Sequence, residues 1–153
     1  MKRLLGKPSN GWSNFTFDKR CRISYIDPFP DFVIEDGISF LNDNAPFDVT
    51  FDAEGYEYRI FADKENKMFY EILDGSNKIY PLNCNFKTFF NNLLLSIEND
   101  FDAWCNFYFC IGEDTENEFE KHKKELRNRL DKAIEILGDK TLEYLEGGKN
   151  YDG

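Results

Sequence analysis

The sequence predicts an α+β fold, in which an antiparallel β-sheet meander packs against two helices and the longer helix comes last. Apolar and polar residues alternate through several short segments before residue 82, and this alternation is typical of half-buried strands. Two later segments instead repeat their apolar residues every three to four positions, as helices with one buried face do. The chain has 153 residues, of which 41% are hydrophobic, so it is long enough to enclose one core.

The strands are predicted from this alternation and from the turns that interrupt it. The clearest segment is 47–51, where the odd-numbered residues are apolar and the even-numbered ones polar. The sequence DAEG at 52–55 indicates a turn into a second strand at 56–62. Because connections of this length join antiparallel strands, we expect hairpins. The other predicted strands lie at 14–17, 20–25, 68–73 and 78–82.

The helices are predicted from apolar spacing and from capping residues. Asn85 is placed to cap a helix at 86–97, whose apolar residues follow the i, i+3, i+4, i+7 pattern. Thr115 and Glu118 form a capping box at the start of a long charged helix over 116–137. Both helices have one apolar stripe, so we expect both to pack on the sheet.

The rest of the chain has weaker periodicity. Residues 104–111 are apolar on both faces of an extended chain, which favours a central strand that is covered on both sides. The prolines and acids around Pro28–Pro30 favour a loop. No linker divides the chain, so we expect one domain at 1–146 and a flexible tail at 147–153.

Acidic residues outnumber basic ones by 29 to 19, and the net charge is −10. The imbalance is greatest in residues 25–60, where nine acids accompany Arg59 alone. A field of this sign repels nucleic acid and anionic membranes and attracts basic proteins. We therefore expect a basic protein partner, with no direct binding of nucleic acid or membrane. An acidic surface that serves solubility alone is the alternative.

The sequence carries no catalytic or cofactor-binding signature. Its single histidine, His122, lies in the charged run 120–124, and we interpret it as a solvated helix residue. One histidine excludes a His-rich zinc site and a Ser-His-Asp triad elsewhere in the chain. The segments 42–44 and 52–55 lack the ligand spacing of an EF-hand, so we expect no metal and no cofactor. We expect a protein that is not an enzyme, and catalysis by paired carboxylates is the alternative.

The four cysteines, Cys21, Cys84, Cys105 and Cys110, lie among apolar residues and form no CxxC pair. Cysteines in such surroundings behave as small buried apolar side chains. The N-terminal residues also lack the apolar core of a signal peptide. These features together predict four reduced thiols and a cytoplasmic protein.

The candidate binding surface is the polar side of the hairpin formed by 47–51 and 56–62. If the DAEG turn pairs these strands, Asp48, Asp52 and Glu57 share one surface. A sheet holds such charges about 5–7 Å apart, which suits clusters of lysine and arginine. An ordinary solvated sheet surface has the same residue types and is the alternative. The predicted partner-binding residues are Asp48, Asp52, Glu54, Glu57 and Glu71.

The segment Gly11–Phe17, with the sequence GWSNFTF, resembles the GWS-plus-strand segment of the YezG-like bacterial antitoxins, which neutralise polymorphic toxins. The small, acidic and aromatic-rich α+β build is also similar, in a broad sense, to bacterial immunity proteins such as the SUKH group. The resemblance implies that the protein binds and inhibits a cognate toxin, often a basic nuclease. The match covers seven residues and assigns no functional residue.

Two other classes of function agree with part of this pattern. A phage-type inhibitor that mimics nucleic acid against a defence nuclease would carry the same negative charge. A structural interaction module without an inhibitory role would also lack catalytic residues. Inhibition of a basic toxin by direct protein–protein contact agrees with both the charge and the resemblance, so it is the function that we expect.

Overall fold

A computed structural model of the chain describes residues 4–9, 12–16, 20–24, 29–43, 45–53, 56–105 and 116–138. The strands are β1 (Trp12–Thr16), β2 (Arg20–Ser24), β3 (Asp48–Asp52), β4 (Glu57–Ala62), β5 (Lys67–Ile72) and β6 (Ile79–Asn85). The helices are α1 (Phe29–Leu41), α2 (Phe86–Asn99), α3 (Phe101–Cys105) and α4 (Glu116–Leu137). The α+β class is confirmed, and so are the helices predicted at 86–97 and 116–137. Three expectations concern residues or side chains outside the described part of the chain: the Thr115–Glu118 capping box, the domain end at 146 and the tail at 147–153.

The main sheet is an antiparallel meander in the order β3-β4-β5-β6. Its register places Val49 opposite Ile60, Ile60 opposite Tyr70 and Tyr70 opposite Tyr80. Val49, Ile60 and Tyr70 are buried, so this row belongs to the inner face, which packs on the core. Successive side chains of a strand point to opposite faces, so the intervening residues form an outer sheet face. Strands β1 and β2 form a separate two-stranded antiparallel hairpin.

Phenylalanine rings form much of the core. Phe15 of β1 contacts Phe29 of α1 and Phe51 of β3, with ring centroids 5.4 and 5.2 Å apart. Phe86 of α2 contacts Phe47, which precedes β3, at 5.0 Å. All five side chains are buried, and burial of one such ring contributes about 1.5–3 kcal/mol. These contacts therefore join the β1–β2 hairpin, α1, the main sheet and α2 into one core.

Helix α2 runs through the middle of this core. Asn85 caps it as the sequence predicts, because the N–H of Thr88 donates to Asn85 Oδ1 at 2.9 Å. Residues 88–97 are all buried, among them Ser96. The hydroxyl of Ser96 donates to the carbonyl oxygen of Asn92 at 2.9 Å and accepts from the N–H of Leu4 at 3.1 Å. Both bonds satisfy a buried polar group, and the second fastens the N-terminal segment to α2.

The prediction of a loop around Pro28–Pro30 is wrong, because α1 begins at Phe29. Pro30 lies in the first turn of the helix, where no intrahelical partner exists for the missing N–H. Val33 and Ile34 of α1 are buried together with Phe29, and this spacing is that of a helical stripe. The prolines therefore accompany the start of a helix that buries its apolar face.

The prediction of a strand over 104–111 is wrong at its first two residues, because Trp104 and Cys105 belong to α3. Only Asp100 separates α3 from α2, and its carbonyl oxygen accepts the N–H of Trp104 at 3.0 Å. Trp104 and Cys105 are fully buried. A short apolar run has the same composition in a buried helix and in a central strand. Composition therefore does not distinguish the two structures at Trp104 and Cys105. Residues 106–111 lie outside the described part of the chain.

Candidate functional site

The outer sheet face gathers the predicted binding residues. The register places Thr50 opposite Arg59, Asp52 opposite Glu57, and Arg59 opposite Glu71. Strand alternation sets Asp48 on the same face, two residues before Thr50. Of the five predicted partner-binding residues, Asp48, Asp52, Glu57 and Glu71 thus share one surface, and Glu54 lies outside the described residues.

Arg59 occupies the middle of this face and is held by two carboxylates. Its Nε and Nη2 atoms donate to the two oxygens of Asp48, both at 2.8 Å, and its Nη1 donates to Glu71 Oε1 at 3.0 Å. The guanidinium also lies 4.1 Å from the ring centroid of Phe61. The hydrogen bonds to Asp48 raise the pKa of Arg59, and they outweigh the opposing effect of its burial. Arg59 is therefore a fixed part of the surface that links β3, β4 and β5.

The acidic half of the outer sheet face, Asp48, Asp52 and Glu57, lies toward β3. Asp52 and Glu57 stand directly opposite each other in the register, and like charges in that arrangement repel. Helix α1 holds a carboxylate, Asp36, close enough to Asp48 for the two charges to interact. The pKa of Asp36 is raised, first by its burial and then by the charges of Asp48 and Glu35. Carboxylates of the sheet and of α1 therefore act on one another through space.

The apolar half of the outer sheet face, Phe69, Leu73, Ile79 and Pro81, lies toward β6. Pro81 is opposite Phe69, and Ile79 is opposite Glu71. The N–H of Leu73 donates to the carbonyl oxygen of Glu57 at 2.9 Å, which continues the β4–β5 ladder past β5. Ile79 is 52% exposed and Leu73 38% exposed. Large apolar side chains thus face solvent directly beside the acids.

Sequence reasoning missed this apolar half, although the alternation contained the signal. Phe61 has the same parity as Glu57 and Arg59, and Phe69 has the same parity as Glu71. The rings of Phe61 and Phe69 stack across β4 and β5 with centroids 5.6 Å apart. The predicted polar face is therefore amphipathic: it is acidic at one side and aromatic and aliphatic at the other.

The interpretation of His122 as a solvated residue is wrong, because His122 is only 5% exposed. Its Nε2 lies 2.8 Å from Asp31 Oδ2, and its Nδ1 lies 3.1 Å from the carbonyl oxygen of Cys105. Both partners are acceptors, and only the protonated imidazolium donates from both nitrogens. Burial is the largest single effect on the pKa of His122 and acts to lower it, but the hydrogen bond to Asp31, the charge of Asp31 and the carbonyl oxygen of Cys105 together outweigh burial, so the pKa is raised.

Asp31 also accepts from Arg129 Nη1 at 3.1 Å, and Arg129 Nε donates to Glu35 Oε1 at 2.8 Å. These four residues, Asp31, Glu35, His122 and Arg129, form a helix ion network between α1 and α4. The spacing of His122 to Phe119 and Leu126, three and four residues away, places it on the buried stripe of α4 and is the signal that reveals its burial. Within the described residues, no group of three His, Cys, Asp or Glu side chains is arranged to hold a metal ion.

Cys84 and Cys105 are not joined in a disulfide, and both are buried. Burial raises the pKa of the Cys105 thiol to about 11, so this thiol is protonated and unreactive near neutral pH. The side chains of Cys21 and Cys110 lie outside the description. The described cysteines therefore behave as core residues.

Comparison of the chain with protein-family models, with curated proteins and with solved structures gives no match in any of the three. No helix among the described residues is both long and apolar enough to span a bilayer.

Proposed function

We propose that this protein binds a basic partner protein on its outer sheet face, and that it acts as an immunity or antitoxin protein that inhibits a cognate toxin by direct contact. The observation that carries the proposal is the charge of this face. Four carboxylates of β3, β4 and β5 share it with Arg59 and Lys67, and Arg59 is already bound to Asp48 and Glu71. The face therefore keeps an excess of negative charge for a partner.

The sheet gives these charges a fixed geometry. Neighbouring strands lie about 4.8 Å apart and alternate residues of one strand about 6.6 Å apart, so carboxylates on this lattice match a cluster of lysine and arginine side chains. Such complementarity speeds association by steering the encounter, and added salt weakens it. The excess of acids throughout residues 25–60 extends the attraction beyond the contact itself.

The resemblance of Gly11–Phe17 to the YezG-like antitoxins supports a toxin as the partner. A basic nuclease is a chemically suitable target, because its active site must attract polyanionic substrate. An acidic protein seated on that site would exclude the substrate by charge and by volume. Inhibition in this form needs no catalytic residue in the inhibitor.

The test begins with the wild-type protein as bait in an extract of its source cell, followed by identification and purification of the basic protein that it retains. Association with that protein is then measured by stopped-flow fluorescence at low salt. A variant with Asp48→Lys, Asp52→Lys and Glu57→Lys should associate at least tenfold more slowly, because steering changes such rates by about 10- to 1,000-fold. The purified partner should also lose its activity when one equivalent of the wild-type protein is added.

A matched control carries the same charge change on the exposed surface of α4, as Glu120→Lys, Glu125→Lys and Glu135→Lys. This variant should associate within about threefold of the wild-type rate, because its charges lie away from the proposed contact. Equal slowing by both triple variants would show that net charge alone acts and would contradict the proposed face. Tight binding of DNA by the wild-type protein would contradict the proposal that its partner is a basic protein.

A further inference from the structure

Building on the proposed function, we infer that the apolar half of the outer sheet face is the anchor that holds the partner. Its occupant is a segment of the basic partner in which large apolar side chains alternate with lysine or arginine. The apolar side chains would cover Phe69, Leu73, Ile79 and Pro81. The basic side chains would reach the acidic half, Asp48, Asp52 and Glu57, and also Glu71 between the two halves.

The distribution of exposed apolar residues supports this anchor. Among the described residues, the large hydrophobic side chains that are exposed are Tyr56, Leu73, Ile79 and Tyr80, at 56%, 38%, 52% and 37%. All four lie at one end of the main sheet, where β4 and β6 begin and β5 ends. Strand alternation places Leu73 and Ile79 on the outer sheet face, and Tyr56 and Tyr80 on the side of the inner face. Clustered apolar exposure of this kind, bordered by polar residues, is typical of protein–protein contacts.

The outer sheet face is already ordered at and beside the anchor before a partner binds. Phe61 and Phe69 stack across the strands, and the guanidinium of Arg59 covers Phe61 while it donates to Asp48 and Glu71. Aromatic and arginine side chains dominate the energetics of interfaces. Since their positions are already fixed by the sheet, binding loses little side-chain entropy at this point.

Charge selects a basic segment over a second copy of this chain. Each copy has a net charge of −10, and its outer sheet face carries only Arg59 and Lys67 as cations among the described residues. Two such faces would bring carboxylates together with few cations to balance them. A segment with basic residues beside its apolar ones instead satisfies both halves of the face at once.

The two halves then have separable kinetic roles. Exposed charges act at a distance and govern the association rate, whereas apolar contacts form only in the complex and govern dissociation. Removing the anchor should therefore lower the affinity for a segment that contains apolar side chains. The affinity for a purely basic segment should stay unchanged. This difference is measurable with defined peptides.

The experiment uses three 12-residue peptides with alternating Lys-Leu, Lys-Ser and Glu-Leu sequences. Binding is followed by two-dimensional amide NMR of the full-length protein, whose shifts report both affinity and location. We expect the Lys-Leu peptide to bind at least tenfold more tightly than the Lys-Ser peptide and to shift the amides of β5 and β6. The Glu-Leu peptide should not bind. A variant with Leu73→Ser and Ile79→Ser should bind the two lysine peptides with equal affinity.

A conservative variant, Leu73→Met with Ile79→Val, provides the control and should keep the preference for the Lys-Leu peptide. Equal binding of both lysine peptides to the wild-type protein would overturn the anchor while leaving the acidic half as the site. Binding of neither peptide would contradict the proposed function as well. A preference that survives the serine substitutions, or binding of the Glu-Leu peptide, would overturn the proposed occupant. So would a wild-type dimer in sedimentation that the serine variant lacks.

Discussion

Two regions of this molecule hold an arginine between two carboxylates, in different surroundings. On the outer sheet face, Arg59 binds Asp48 and Glu71 from adjacent strands, 11 and 12 residues away. In the helix ion network, Arg129 of α4 binds Asp31 and Glu35 of α1, which are 98 and 94 residues away in sequence. The first arginine organises a surface that the sheet already defines, and the second joins two distant segments of the chain.

The surroundings of the carboxylates differ as well. The side chain of Asp31 is 13% exposed and also binds His122, whose side chain is 6% exposed. On the outer sheet face the side chain of Glu71 is also 13% exposed, but Asp48, which accepts two of the three hydrogen bonds from Arg59, keeps 42% of its side chain exposed. A buried charge that loses its partner is costly, whereas an exposed one is solvated by water. Substitutions in the helix ion network should therefore change stability, and substitutions on the outer sheet face should change binding.

The largest effect on stability is expected from Asp31→Ala. This change leaves both His122 and Arg129 without their shared carboxylate, and loss of one partner of a buried ion pair costs about 3–5 kcal/mol. We expect at least about 3 kcal/mol less unfolding free energy in urea titrations. The control is Asp48→Ala, which removes an exposed partner of Arg59 and should cost less than about 1 kcal/mol. Equal losses in the two variants would contradict the distinction between the regions.

The second largest effect on stability is expected where α1 contacts α2. A Cβ atom at Gly37 would collide with the ring of Phe90, so Gly37→Ala should destabilise the protein by about 1–3 kcal/mol. In an open helix position the same change would stabilise by about 0.5–1 kcal/mol, so the sign of the effect is diagnostic. Ser39→Ala, on the same helix, should change stability by no more than about 0.5 kcal/mol. Thermal unfolding of the three proteins measures the difference, and a more stable Gly37→Ala variant would show that α1 lies further from α2.

Local periodicity predicted the elements that depend on it alone. The strands of the main sheet and the helices α2 and α4 each have a regular apolar pattern within the element, and the acidic half of the outer sheet face follows from the same alternation. The sequence DAEG at 52–55 predicts the pairing of β3 with β4, and thus which acids become neighbours. These features required no knowledge of distant contacts.

The features that the sequence did not reveal depend on distant contacts. Asp31 and His122 are 91 residues apart, and nothing near His122 indicates that a carboxylate will meet it. The lysines around His122 instead suggested solvent. Trp104 and Cys105 are buried because α3 packs beside α2 and α4, and their composition alone does not distinguish this position from a central strand.

The next smaller effect is a pH dependence of the unfolding free energy, which should come from His122 in the helix ion network. The raised pKa of His122 means that its contribution to stability is complete below its unfolded pKa of about 6.5 and is lost as pH rises through the folded value. The neighbouring groups are Asp31, Glu125, Arg129 and the thiol of Cys105, whose pKa of about 11 keeps it protonated in this range. The difference in unfolding free energy between wild type and His122→Gln should shrink from pH 6 to pH 9. Urea titrations across this range measure it, and a difference that grows with pH would contradict the protonated form.

The smallest expected effect, and the sharpest contrast, comes from Arg59→Ala. The side chains of Arg59 and Asp48 are 31% and 42% exposed, and only Glu71 is more buried, so the loss in unfolding free energy should be about 1 kcal/mol. The variant leaves the carboxylates of Asp48 and Glu71 near one another without a cation. Because salt screens exposed charges and acts weakly on buried ones, 1 M sodium chloride should restore part of the stability of Arg59→Ala and little of the stability of Asp31→Ala. Thermal unfolding at low and high salt gives both values. Equal recovery of the two variants would mean that the helix ion network is as open to solvent as the outer sheet face.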